Sequence, residues 1–348
     1  MTQSPTRPGG SSRRGFLATA AGLGLAAPFL GVAVGTVARA QSATPAELRK
    51  IRFASNASSI CLAPSFLAVE QGIFARHGLD VEIVNFGGST EALLEAIATG
   101  KADGGVGMAL RWLKALEQGF DVKITAGTHG GCSRLVTLNS TGITDLAALK
   151  GKAIGVTDLA APGKNFFSIL LHKAGINPET DVTWKAYSTD VLEIALERGE
   201  IAAIADGDPR AFFWLNDTPG KYVQIASNLD HGFENRVCCI VGLSGALVRD
   251  EPETARALTR ALLEAQDWAV ARPEDAAKAF LPNAPRNRSI EDLVAVLADQ
   301  THDHTPTGAD LKTEIALYAQ ELRDINVFRR STDPAAYAER VYADVLTA

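Results

Sequence analysis

Two stretches of this 348-residue chain align without a gap at an offset of 99 residues. Residues 89–107 read STEALLEAIATGKADGGVG, and residues 188–206 read STDVLEIALERGEIAAIAD. Each opens with Ser-Thr and an acidic residue, continues as an apolar helical pattern, breaks at a glycine (Gly100, Gly199) and enters a run of small residues suited to a strand. The flanks correspond as well. Segments 51–55 and 152–157 read as strands, each followed by a polar loop, a helix, a turn glycine (Gly78, Gly175) and a second strand. A βαβαβ unit written twice specifies two similar parallel-sheet domains, and paired domains leave a cleft between them. The expected fold class is α/β, with two doubly wound lobes.

Residues 1–40 are set apart from this pattern. Ser11-Ser12-Arg13-Arg14-Gly15-Phe16-Leu17 is a twin-arginine pattern, followed by a weakly apolar Ala/Gly-rich run and by Ala38-Arg39-Ala40. Four glycines and Pro28 in that run, with the A-x-A end, favour a cleaved export signal over a membrane anchor. Removing its four basic residues (Arg7, Arg13, Arg14, Arg39) leaves 30 basic against 40 acidic groups, a formal charge of −10. Such a balance gives no reason to expect nucleic-acid binding.

In the first unit, strands are expected near 51–55, 79–85, 103–107 and 122–127, with helices near 63–76, 89–99 and 109–118. In the second, strands are expected near 152–157, 181–187 and 201–206, with helices near 163–174, 189–198 and 209–215. Apolar runs at 132–139 and 236–243 bracket the second unit. If both are hinge strands, lobe one comprises 41–137 and 241–348, and lobe two 138–240. The helical patterns from residue 251 onward then pack on lobe one. Two linking strands can bend together and close a cleft over a ligand.

Ligands of open parallel sheets gather beyond the carboxyl ends of strands, beside helix N-termini. That rule nominates Asn56, Ser58 and Ser59 after the first strand, Gly88 and Ser89 before the second helix, and Gly107, Met108 and Arg111 after the third strand. His129 lies at the first crossover. The second lobe contributes Asp158, Ala160, Gly163, Ser188, Asp206 and Asp208, and Asn235 stands at the return. Ser89 and Ser188 also suit helix capping, Arg111 could simply be solvated, and Asp208 before Pro209 suits a helix start.

His129, Cys132 and Cys238 or Cys239 can converge near the hinge, where thiolate and imidazole suit Cu(I) or zinc. The H-x-x-C spacing is one pair and no C-x-x-C supports it, so no metal and no cofactor are assigned. Adjacent Cys238 and Cys239 are poorly placed to bond each other, and pairing of one of them with Cys132 or Cys61 stays open. His302-Asp303-His304 reads as a solvated turn. No G-x-S-x-G, H-E-x-x-H or Walker loop is present, nor a G-x-G-x-x-G opening a helix after a strand, which favours binding over catalysis.

Residues 61–74 (CLAPSFLAVEQGIF), 78–82 (GLDVE) and 98–103 (ATGKAD) resemble the solute-binding proteins of nitrate/taurine-type ABC importers. Residues 149–156, 171–176, 319–327 and 333–338 extend the resemblance over roughly 50–346. It implies a type II periplasmic binding fold and a non-enzymatic monomer in the periplasm. The protein would be delivered by the twin-arginine translocase and would pass one small solute to a permease and ATPase. It also places ligand contacts at Asn56–Ser59, Gly88-Ser89, Gly107-Met108 and Leu159–Gly163. The first loop lacks a charged group, and the 206–209 (DGDP) and 129–132 (HGGC) segments depart from the family. Nitrate, taurine and sulfonates are therefore not carried over. The same superfamily includes pyridoxal-dependent enzymes that make the thiamine pyrimidine, a reading that the export signal opposes. Alternatives are a metal ligand, an aromatic or pyrimidine ligand stacked on Trp184, Tyr187 or Phe166, and a sensory or assembly role.

Overall fold

The computed structural model describes residues 47–56, 59–86 and 90–347; the leader assigned to residues 1–40 lies outside them. The chain opens with β1 (Arg49–Ser55), a 3-10 turn at Ile60–Leu62, α1 (Ala63–Glu70), α2 (Ile73–Arg76) and β2 (Leu79–Asn85). α3 (Thr90–Ala98), β3 (Gly104–Met108), α4 (Ala109–Glu117) and β4 (Val122–Gly130) follow. The second unit runs through β5 (Ser133–Leu138), β6 (Ala153–Val156), α5 (Pro162–Lys173), β7 (Thr183–Ala186) and α6 (Thr189–Glu197). It continues with β8 (Ala203–Gly207), α7 (Arg210–Asp217) and β9 (Tyr222–Ser227). The chain then forms β10 (Val237–Ser244), α8 (Gly245–Asp250), α9 (Pro252–Ala271), α10 (Pro273–Phe280), α11 (Ile290–Ala298), α12 (Gly308–Asp324) and α13 (Pro334–Val341).

The repeat is visible in the sheets. One has the order β2-β1-β3-β10-β4 and the other β7-β6-β8-β5-β9. In each, the first three strands are parallel and the fourth is antiparallel to both its neighbours. Every residue of β10 is buried, as expected of a central strand covered on both faces. The helix expected over 63–76 is broken in two, because Gly72 adopts a left-handed φ of 63° that favours glycine.

The apolar runs expected to link the domains each lie within one sheet. β5 pairs only in the second sheet and β10 only in the first. The chain passes between sheets through Gly131-Cys132 and returns through 228–236. β9 was not expected at all, although it stands one repeat length beyond β4.

The C-terminal helices do not serve the first sheet alone. α9 packs there, its buried Thr259 hydroxyl hydrogen-bonded to that of Thr125 at 2.9 Å. α12 reaches the second unit, where its Glu321 pairs with Lys173 at 2.6 Å and with Arg236 of the return passage at 3.0 Å. Arg288 pairs with Asp217 at 2.6 Å, and Asp299 pairs with Arg134. Charged termini and loops of these helices thus bind partners that an apolar pattern cannot specify. Among the described residues, no helix is long and apolar enough to cross a membrane.

Candidate functional site

Met108 ends β3 and α4 begins at the next residue, so Leu110 and Arg111 project from the carboxyl edge of the first sheet. Asp158 follows β6 of the second sheet and α5 begins shortly after. The two edges touch. Arg111 Nη1 donates to both carboxylate oxygens of Asp158 at 2.9 Å, and Asn165 Nδ2 donates to the Leu110 carbonyl at 2.9 Å. Asp158 Oδ1 also accepts from the Ala160 amide at 2.7 Å. The Arg111 side chain is only 6% exposed, but that of Asp158 is 47% exposed.

Two small cavities share Met108, the first lined from both units and the second from the first unit alone. One, of about 10 Å³, is lined by Met108, Leu110, Phe166 and Tyr318 with the polar Ser133 and Asn228, and with Cys238 in its wall. The other, of about 30 Å³, takes Asn56, Ser59, Leu62 and Met108, with Cys61 and Cys239 in its wall. Among the described residues no arginine, lysine, aspartate or glutamate lines either one. Asn56 Oδ1 is buried without a hydrogen-bond partner, leaving an acceptor at the second cavity. Asn228 has spent its carbonyl oxygen on the Cys132 and Ser133 amides, both at 2.8 Å, which pins the first passage.

The structure therefore brings Asn56, Ser59, Gly107, Met108, Arg111, Asp158 and Ala160 to the cleft. Ser58, Gly88 and Ser89 lie outside the described residues. Gly107 has a packing reason of its own, since a Cβ there would stand 2.2 Å from the Trp112 ring. Gly163 is buried in the first turn of α5, against the Ala205 backbone. Ser188 occupies the N-cap of α6 but makes no side-chain cap bond, and it is exposed. Asn235 is exposed in the return passage and lines neither cavity.

Both second-lobe aspartates are committed to arginines. Asp206 takes two bonds from Arg210, each 2.8 Å. Asp208 takes two from Arg134, at 2.8 and 3.0 Å, and others from Gln300 Nε2 and the Phe212 amide. Of the aromatics proposed for stacking, only Phe166 lines a cavity. Trp184 donates to the Pro178 carbonyl and Tyr187 to Glu200. Sequence reasoning missed Ser133, Asn228 and Tyr318; the neighbourhood of Cys132 and Val237 in the two apolar runs was the available signal.

His129 is fully buried in β4, away from the loop expected to present it. It faces Cys61 and Cys239, and Cys239 also meets Cys132 and Cys238. All four cysteines are free and buried, with the Cys132 and Cys238 sulfurs 3.0 Å apart. Hydrogen bonds from Cys132 and then Cys239 hold Cys61 and Cys238 well below the ordinary thiol range. Burial is the largest influence on His129 and pulls it down, but the Cys61 thiolate outweighs it and raises the imidazole to about 9. Burial, and then the charge of His129, lowers His302 to about 3.

The model of the family described as NMT1/THI5-like matches residues 60–276, well over half of the chain. The chain belongs to the NMT1/THI5-like family. It is 30% identical over 222 residues to the nitrate import ATP-binding protein NrtC of Synechococcus elongatus, covering 58% of this chain. It spans only 33% of the length of that relative. It is 28% identical over 234 residues to the 4-amino-5-hydroxymethyl-2-methylpyrimidine phosphate synthase THI12 of Saccharomyces cerevisiae, covering 64% of this chain and 67% of that protein. The alkanesulfonate-binding protein SsuA from Xanthomonas axonopodis pv. citri superposes with a TM-score of 0.68 at 17% identity, over 84% of this chain and 98% of that one. The fold of this NMT1/THI5-like chain is thus the two-lobed α/β fold of periplasmic binding proteins.

Proposed function

We propose that this chain is the solute-capturing component of an ABC importer, closing its two lobes over one small molecule in the periplasm and passing it to a permease and ATPase. The observation that carries this reading is the meeting of the two strand-end edges, Arg111 to Asp158 and Asn165 to Leu110, beside a cavity lined from both units. Because Asp158 is half exposed, that ion pair contributes no more than about 1 kcal/mol and breaks readily when the lobes part. The double passage through 131–132 and 228–236 supplies a hinge. Family membership and the fold shared with SsuA support the class of function. The twin-arginine pattern supports export as a folded monomer.

The solute we infer is a small, largely uncharged organic molecule. Met108, Leu110, Phe166 and Tyr318 offer apolar and aromatic surface, and Asn56 Oδ1 offers an acceptor for an N–H or O–H group. A compact anion would find no cationic side chain in the wall of either cavity. A thermal-shift panel of neutral heterocycles, aromatic acids, sulfonates and nitrate, followed by calorimetry, tests this. A neutral solute should bind at one equivalent and raise the melting temperature. Binding by nitrate or sulfonates alone would overturn the solute class, and turnover of a substrate by the isolated chain would overturn the transport reading.

A further inference from the structure

Five soft donors from separate segments meet inside this chain. Cys61 lies in the 3-10 turn after β1, His129 near the end of β4, Cys132 in the passage between sheets, and Cys238 and Cys239 in β10. None is more than 7% exposed. The sulfurs of Cys61 and Cys239 and one nitrogen of His129 lie within 4.8 Å of one another, as do the sulfurs of Cys132, Cys238 and Cys239. Cys239 belongs to both groups.

The imidazole is set for ligation. His129 Nδ1 is 2.9 Å from the Gly130 carbonyl oxygen. A carbonyl can only accept, so Nδ1 carries a proton, and Nε2 is the nitrogen left to give up its own proton and ligate a metal. Nε2 is buried and makes no hydrogen bond. A metal-ligating histidine uses its second nitrogen in this way, with the backbone fixing tautomer and ring orientation. His302 stacks behind it, with ring centroids 5.1 Å apart, but its Nδ1 is 2.8 Å from Gln266 Nε2. With that amide donating, the His302 proton rests on Nε2, which removes His302 from the donor set.

Packing alone explains small thiols in strands but not a buried imidazole whose Nε2 has no hydrogen-bond partner at ordinary distance. Thiolate and imidazole select thiophilic d10 ions over oxygen-seeking Mg²⁺, Ca²⁺ or Mn²⁺. With bonds of about 2.3 Å to sulfur and 2.0 Å to nitrogen, tetrahedral ligands stand roughly 3.5–3.8 Å apart. Within each group of three, the donors would need to draw together by about 1.3 Å at most.

We propose that Cys61, His129 and Cys239, with Cys132 or Cys238 in fourth place, bind one thiophilic d10 ion, Zn(II) or Cu(I), beneath the cleft. Ligation releases to solvent the protons still held by the ligating thiols and by His129 Nε2, and involves no change of oxidation state. The ion joins the turn after β1, whose Cys61 lines the second cavity, to both strands that flank the passages between sheets. This inference stands whether or not the solute reading is correct.

The test uses the full mature chain, reduced and stripped of metal, titrated with Zn(II) and, under anaerobic conditions, with Cu(I), each against a chromophoric chelator. One equivalent should bind, the preferred ion being read from the two titrations. Loading should protect the thiols from alkylation, and Co(II) should give a sulfur-to-metal charge-transfer band. Cys239→Ser and Cys61→Ser should each lose more than the roughly 10–100-fold that altering an outer-shell partner costs. Cys132→Ser should lose less, because Cys238 can take its place. If the serine variants fail to fold, thiol protection in the wild-type chain decides. No binding by the reduced chain, unchanged affinity in Cys239→Ser, or a Cys132–Cys238 disulfide in protein that ignores both metals would overturn the proposal.

Discussion

Arg134→Met tests whether Asp208 is a structural or a solute-contacting group. The Arg134 and Asp208 side chains are 7% and 0% exposed, and two hydrogen bonds join them. Arg134 also pairs with Asp299, which is 44% exposed, and donates to Gln224 at 2.9 Å. Removing the guanidinium leaves the Asp208 carboxylate buried with only Gln300 and the Phe212 amide. Uncompensated charges of this kind cost about 3–5 kcal/mol. At about 2–4 °C per kcal/mol for a large domain, that is a fall of roughly 6–20 °C in melting temperature. Urea unfolding with an unchanged slope is the assay. Arg134→Met/Asp208→Leu should recover most of the loss, because an apolar pair replaces a buried ion pair at little cost. Burial is the largest influence on Asp208 and raises its pKa, outweighing the bonds from Arg134 and Gln300 that lower it. An acid raised by folding contributes stability below its unfolded pKa and loses it as pH rises through the folded value. The deficit of Arg134→Met should therefore be greatest at neutral pH and shrink toward pH about 4. A loss under about 1 kcal/mol would refute the reasoning, that being the worth of an exposed pair. So would an Asp208→Asn variant of wild-type stability that no longer binds solute.

Gly107→Ala should destabilise the fold by about 1–3 kcal/mol in urea, since its Cβ would stand 2.2 Å from the Trp112 ring. Asn56→Ala should weaken binding of a neutral solute roughly tenfold by calorimetry, the worth of one hydrogen bond, with stability unchanged. Bonds from His77 and then Arg76 hold Glu264 below the ordinary carboxylate range. A depressed acid contributes stability above its unfolded pKa and loses it as pH falls through the folded value. Glu264→Gln should thus flatten melting temperature against pH between about 5 and 3.

Much of the fold was legible because its information is local and periodic. Ser-Thr starts, apolar helical spacing and stop glycines recur at one offset, and both parallel triplets follow from them. The same offset applied to β4 would have placed β9 at Tyr222–Ser227, whose polar Gln224 and Ser227 disguise an antiparallel edge strand. The inter-sheet passages were misplaced because apolar runs record burial, and burial inside one sheet looks the same as burial between two. At the proposed site, the cleft rule named Asn56, Met108, Arg111 and Asp158, which stand at or just beyond strand ends. It could not tell that Asp206 and Asp208 are spent on Arg210 and Arg134, or that Cys61 joins His129 and Cys239. Those contacts span many tens of residues or more and leave no spacing to read.

The central claim is capture of a solute by lobe closure. It is tested most directly by the distance between spin labels at Lys101→Cys and Arg198→Cys, exposed positions on opposite lobes, the four native cysteines being buried. On titration with a solute from the panel, the distance distribution should narrow and shift to one new position, saturating at one equivalent. Arg111→Ala should weaken that shift. Tight one-to-one binding that leaves the distribution unmoved would contradict capture by closure.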